Sequence, residues 1–141
     1  MSYGMQRIEL IAMAERKLKD AQLLFMHNRS SSAYYLAGYA VEFGLKACIA
    51  KQIAHQTIPD KDFIKDLYTH DLTKLLRLAG LERQRAIDGK ADQQFEAAWA
   101  ITKDWTEQSR YETKLISDAQ YLLEAISDTE HGVMQWIKRH W

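Results

Sequence analysis

Glu42 and Lys46 are the only charged residues between Ala33 and Ala50, inside the stretch SSSAYYLAGYAVEFGLKACIAK that runs from Ser30 to Lys51. In a helix they fall in one row with Gly38, at i, i+4 and i+8. Acid before base at that spacing is the favoured order for a helical ion pair. Tyr35 and Tyr39 border the row. It is either a ligand-facing polar row or an internal ion pair bridging helices. A buried pair is costly unless its remaining hydrogen-bonding capacity is filled, so it calls for further partners such as His70 or Arg110.

His70 is the second candidate. An imidazole there suits a general base or a phosphate contact, and a base of that kind needs a cation to stabilise the charge that develops. Lys65, Lys46 and Arg110 are the cations considered for it. The plainer reading is a histidine at a helix start, where it satisfies backbone groups together with Thr69 or Asp71. Arg110-Tyr111 is the third candidate, able to contact phosphate or stack on a base. Alternatively Arg110 pairs with Glu42 or Asp71, and Tyr111 packs on the protein. Lys138-Arg139-His140 and Arg83-Gln-Arg85 are basic clusters that would matter for nucleic acid only if they shared a face.

Several chemistries are not signalled. No two histidines stand at i, i+3 or i, i+4, and the single cysteine, Cys48, cannot form Cys-x-x-Cys, so no metal site is expected. No Gly-rich phosphate loop or Gly-x-Ser-x-Gly is present, and no cofactor is expected. Lys plus Arg and Asp plus Glu are both 19, a formal charge of zero, which gives no global pull toward nucleic acid. A lone cysteine in an apolar stretch reads as a small buried hydrophobe. With no leader pattern and no apolar run near ~20 residues, the expectation is a cytoplasmic protein with no membrane span.

The elements that position these residues follow from periodicity. At 141 residues with one proline, Pro59, and abundant helix formers, the chain reads as one all-α domain over residues 1–141. The predicted architecture is a compact helical bundle of four to five main helices. Met5 to about His27 is an amphipathic helix, with Asn28 as its stop. Ser30–Ser32 offer N-cap oxygens for the apolar second helix. So short a link makes the two an antiparallel pair. Gly38 and Gly44 predict a close approach by a neighbouring helix or at a dimer seam. Ala54 to Asp60 is a break fixed by Pro59, and Asp60 to Tyr68 holds one or two short turns. Asp71 to Ala79 is a short helix capped by Gly80. Leu81 to Lys90 reads as a charged loop with a turn at Asp88-Gly89. Ala91 to Lys103 is helical, Trp105 to Tyr111 a loop, and the last helix opens at Thr113 or Ser117 and runs to the C-terminus. There Ser117 and Gln120 fit a capping box, Gly132 loosens the helix, and Trp136 and Trp141 could seal a dimer.

Three pieces of this pattern resemble the HEPN family. Tyr35 and Gly38-Tyr39-Ala40-Val41-Glu42 followed by Leu45-Lys46-Ala47 are similar to the second helix of one branch. His70-Asp71-Leu72 and Trp105 with Arg110-Tyr111 follow in matching order. The resemblance spans nearly the whole chain. It implies a small helical bundle that dimerises. The activity it implies is either a metal-independent endoribonuclease of toxin–antitoxin or defence systems, or a non-catalytic partner of a small nucleotidyltransferase. The nuclease motif is Arg, four to six residues, then His. No histidine here has an Arg at that spacing; the nearest match is Lys65 before His70, and an ammonium lacks the planar donor fork of a guanidinium. The expected protein is therefore a homodimeric, non-catalytic module, for protein interaction or for nucleotide or RNA binding, alongside a small nucleotidyltransferase. Tyr35, Tyr39, Glu42, Lys46, Asp71, Arg110 and Tyr111 would face the ligand. The alternative is a nuclease using His70 and Lys65.

Overall fold

The computed structural model describes residues 5–54 and 61–141. The expected break at Pro59 lies outside them. Among the described residues there is no strand, and eight α-helices and one 3-10 turn follow in order. They are α1 (Arg7–Met26), α2 (Ser30–Ala54), α3 (Lys61–Asp66), α4 (Leu72–Leu78), α5 (Glu82–Ala91), α6 (Gln93–Thr102), the 3-10 turn Glu107–Tyr111, α7 (Ile116–Ser127) and α8 (Val133–Lys138). No helix among them is long and apolar enough to cross a membrane.

The hub is α2. It packs most extensively on α1 and also touches α4, α7, α8 and the 3-10 turn. That explains why it is apolar on nearly every side: Ala33, Ala37, Ala40, Val41, Leu45, Cys48 and Ile49 are all buried. A helix enclosed by neighbours has no polar face to spare. The α1–α2 link is set by Asn28 at φ 61. Its N–H bonds the carbonyl of Phe25 and the Arg29 N–H bonds that of Leu24, which is the Schellman pattern of a left-handed helix stop. Gly80, at φ 72, ends α4 in the same way, with Leu81 bonding Leu76.

Burial pushes the Cys48 thiol up to about 12. The residue is therefore a packed hydrophobe rather than a nucleophile.

Several expected boundaries are corrected. Residues 81–90 are not a loop: Glu82–Ala91 is a helix. Its charged sequence carries no apolar period, but its polar side chains have specific partners. The Asp88 carboxylate accepts from the Trp136 indole N–H at 2.8 Å, and Arg85 pairs with Glu96 at 2.7 Å. Trp136 is thereby buried inside the bundle, stacked on Phe95, and is not free to seal a dimer. The helix expected from Ala91 instead begins at Gln93, because Asp92 turns out of α5 and caps the N–H groups of Gln94 and Phe95. The 3-10 turn occupies most of the loop expected at Trp105–Tyr111.

Ser31 does not cap α2. Its hydroxyl accepts from the Lys114 N–H at 2.9 Å and ties the approach to α7 onto the start of α2. Ser117 is not a cap either; Leu115 holds that position, and Asp118 accepts from its N–H at 3.0 Å. The last helix is broken rather than loosened near Gly132, and α7 and α8 are separate.

That break is held by a histidine. The Asp128 carboxylate accepts from the N–H groups of Glu130 and His131, and His131 Nδ1 lies 2.6 Å from the Asp92 carboxylate. The α7–α8 turn is thus bonded to the cap of α6. The hydrogen bond to Asp92 holds the His131 imidazole above its ordinary pKa. The same bond holds Asp92 below its own, and backbone donors from His131 and Glu130 lower Asp128. For a raised histidine the stabilisation is fully present below the unfolded-state pKa and is lost as pH rises through the folded value. The two carboxylates contribute above their unfolded pKa and lose it as pH falls through the lowered folded value. Chemical denaturation of the wild type should therefore show stability falling as pH rises over the interval above the ordinary histidine value of about 6.5. His131→Gln should flatten that interval, and an unchanged slope in the variant would refute the assignment.

Candidate functional site

Glu42 is 1% exposed and both its oxygens are engaged. Oε2 accepts from Lys46 Nζ at 3.1 Å, one helical turn on, and Oε1 lies 2.9 Å from His70 Nδ1. The expected row therefore exists, and it is an ion pair that reaches a second element. Its position is set by α4, whose Leu72, Leu75 and Leu76 are buried in the core. Asp71 caps α4 by accepting from the Lys74 N–H, and Thr69 Oγ1 accepts from the Asp71 N–H. These bonds fix the backbone on which His70 sits.

The carboxylate determines the proton arrangement. Facing Glu42, Nδ1 is the donor, which leaves Nε2 directed away with a lone pair when the ring is neutral. The His70 side chain is 42% exposed. It opens onto a cleft of about 370 Å³ lined by His70, Asp71, Thr73, Lys103, Trp105, Thr106 and Glu107. The cleft pairs an imidazole and an ammonium with two carboxylates. Such a set can contact a phosphate on one side and hydroxyl or amino groups on the other.

The cleft wall at Trp105 is built on Gly38. A Cβ at position 38 would enter the indole ring, so the glycine exists to admit the ring and not, as expected, a neighbouring helix. Gly44 does meet a helix, with Ile137 and Met134 of α8 opposite. Trp105 is 2% exposed, and its Nε1 and the buried Ser109 Oγ lack hydrogen-bond partners among the described residues. From Trp105 an aromatic series runs along α2: Tyr35 at 6.1 Å, Tyr39 5.5 Å from Tyr35, and Phe43 stacked 4.8 Å from Tyr39. Burial raises both tyrosine pKa values, with Glu42 adding to the effect at Tyr39. The phenols are therefore neutral, partly exposed donors beside the row.

Two expected site residues stand elsewhere. Arg110 pairs with Glu107 at 3.2 Å and donates to the Tyr111 hydroxyl at 2.7 Å; it meets neither Glu42 nor Asp71. Tyr111 is 72% exposed and lies under the Arg110 guanidinium, 4.7 Å from it, rather than against the bundle. They form an outer rim beside the cleft residue Glu107. Because Arg110 is exposed, Arg110→Ala should leave stability in urea unfolding close to wild type. A larger loss would give Arg110 a structural role that its contacts do not predict.

Lys65 is exposed on α3 and does not line the His70 cleft. The lysine that does is Lys103, which was not singled out in the sequence. It follows α6, two positions before Trp105, and nothing in its local pattern marks it. Among the described residues no group of His, Cys, Asp or Glu is arranged to hold a metal ion.

Residues 8–140 match the family described as HEPN domain. No curated protein and no solved structure matches the chain.

Proposed function

Since the chain belongs to the HEPN domain family, whose general association is with RNA binding or RNase-type activity, we propose that it is an RNA-binding module whose contact site is the His70 cleft. One observation carries this reading. His70 is held by a buried carboxylate so that its free nitrogen opens onto a cleft with Lys103, while no arginine lines that cleft. Lys103, joined by His70 when its ring carries both protons, can contact one phosphate. Asp71 and Glu107 can accept from a ribose hydroxyl or a base amino group, and Tyr35, Tyr39 and Tyr111 are stacking surfaces nearby. Catalysis asks for more: a base at the 2′-hydroxyl and a strong donor at the phosphoryl oxygens as charge develops. Among the residues lining the cleft, the cation beside His70 is an ammonium.

The test is fluorescence anisotropy with single-stranded RNA, run beside a cleavage assay in chelator. Binding weakened by roughly tenfold or more in Lys103→Ala and in His70→Ala, with intact RNA, is the expected result. Wild-type affinity in both variants would overturn the site.

A second reading is favoured by the Glu42–His70 pair, since a carboxylate-held imidazole is also how a general base is oriented. In that case His70 Nε2 takes the 2′-hydroxyl proton, the 2′-oxygen attacks phosphorus to give a 2′,3′-cyclic phosphate, and the 5′-oxygen leaves and takes its proton from water. Metal-independent cleavage by the wild type, lost in His70→Ala, would establish it in place of simple binding. A homodimer and a nucleotidyltransferase partner in a toxin–antitoxin or defence setting are further parts of the proposal. Light scattering and co-purification with the product of a neighbouring gene test them.

A further inference from the structure

A second cleft lies at the other end of the hub helix and shares no lining residue with the first. Its volume is about 490 Å³, and Cys48, Lys51, Gln52, Ala79, Leu81, Arg139 and His140 line it. It is the place where the C-terminal turn of α2 meets the end of α8.

The charge there is one-sided. Lys51 and Arg139 face His140, and the carboxylate acting on it is Asp88. Asp88 already accepts from Trp136 and Gln84. Arg7 adds to the field of Lys51 at Cys48 and donates to the Trp141 carbonyl. On a chain with equal numbers of acidic and basic residues, this is a local separation of charge. Helix dipoles account for part of it. Each helix C-terminus is equivalent to roughly half a negative charge, and Lys51 and Lys138 stand in the last turns of α2 and α8. Those two lysines offset that demand in part, and Arg139 adds a further cation on the same side.

The donors are also free in the right sense. Neither Lys51 nor Arg139 has an ion-pair partner among the described residues. Gln52 uses its amide nitrogen once, on the Ala79 carbonyl, and a carboxamide carries two N–H bonds. The His140 ring is held against Trp136 at 4.6 Å, and its Nε2 is buried without a hydrogen-bond partner among the described residues. Burial, with Arg139 and Lys51 beside it, lowers the His140 pKa, while Asp88 opposes the shift. An anion seated between the three would relieve that repulsion.

We propose that this cleft is a phosphate-binding site, with Arg139 and Lys51 as the charged donors and His140 as the third contact. A guanidinium offers two parallel bonds to a phosphate and an ammonium a point charge, so together they bind a tetrahedral anion from two sides. The phosphate is either a terminal monoester or a backbone phosphodiester of RNA. The site stands apart from the His70 cleft, so either can fail without the other.

The test follows the His140 imidazole by NMR in the full-length protein, with inorganic phosphate as the first probe. Titration is expected to shift the His140 resonances and raise the pH at which the ring titrates. Arg139→Gln and Lys51→Gln should each weaken binding by roughly tenfold, with thermal unfolding confirming that both variants remain folded. His70→Ala should leave the response unchanged. RNA oligomers with a 5′-phosphate or a 5′-hydroxyl separate the sources. A shift with both assigns the backbone phosphodiester, and a shift with the phosphorylated oligomer alone assigns the terminal group. No shift at millimolar phosphate, or a response as strong as wild type in both Arg139→Gln and Lys51→Gln, would overturn the proposal.

Discussion

Gly38→Ala is expected to destabilise the protein by about 1–3 kcal/mol, although Ala is the better helix former. Helix propensity alone predicts a gain of about 1 kcal/mol from this change in a helix interior. The indole of Trp105 decides the sign. Its five-membered ring lies where the new methyl would go, and Trp105 is 2% exposed with Tyr35 stacked on its other partner surface. Trp105→Ala removes the obstruction but leaves a cavity, at a cost of about 3–5 kcal/mol. The two effects share one cause, so they should not add. In urea unfolding, Gly38→Ala in the Trp105→Ala background should be neutral or stabilising, because only the propensity gain remains. A Gly38→Ala protein as stable as wild type would mean that Trp105 does not sit on Gly38 in solution. Because Trp105 lines the His70 cleft, Gly38→Ala should also weaken RNA binding if that cleft is the contact site.

The second large effect lies in the polar row, where the order of costs matters more than their size. Lys46→Met should cost about 3 kcal/mol, the lower end of the range for breaking a buried ion pair. It leaves the Glu42 carboxylate, 1% exposed, with His70 as its remaining partner. Glu42→Gln should cost only about 1 kcal/mol. The amide carries no charge to strand, and Lys46 and His70 are 22% and 42% exposed and can turn to water. The double variant should then resemble Glu42→Gln more closely than Lys46→Met. Equal costs for the two single changes would show that Glu42 is better solvated than its burial implies.

How much of this could be read along the chain depends on the range of the interaction. The stop at Asn28, the cap at Gly80, the stripe of α4 and the Glu42–Lys46 pair all rest on neighbours within about one or two helical turns. At that range the residue types largely determine the geometry. The same holds for α2: a run with two charges and no polar face can only be an interior helix, and it packs on α1, α4, α7, α8 and the 3-10 turn. The three phrases that carry the family resemblance are likewise local, and the match over residues 8–140 agrees with them.

Residues 82–91 show where that reasoning stops. They lack an apolar period, so nothing local distinguishes them from a loop. They are helical in a setting where Asp88 meets Trp136, 48 residues away, and Arg85 meets Glu96. The end of the chain shows the converse. Periodicity runs on through residues 128–132, but Asp128 captures two backbone N–H groups, and His131 is drawn to Asp92, 39 residues away.

The sequence by itself determined an all-helical bundle, its central helix and the polar row on it. Only the tertiary structure decided the site. Glu42 takes His70 from 28 residues away, Lys103 rather than Lys65 shares the cleft, and Arg110 turns to Glu107, three residues off on the same 3-10 turn. The physical reason is reach. Helical periodicity records which face a side chain takes, whereas its partner on another element depends on how the elements dock, through packing that includes an indole over a glycine.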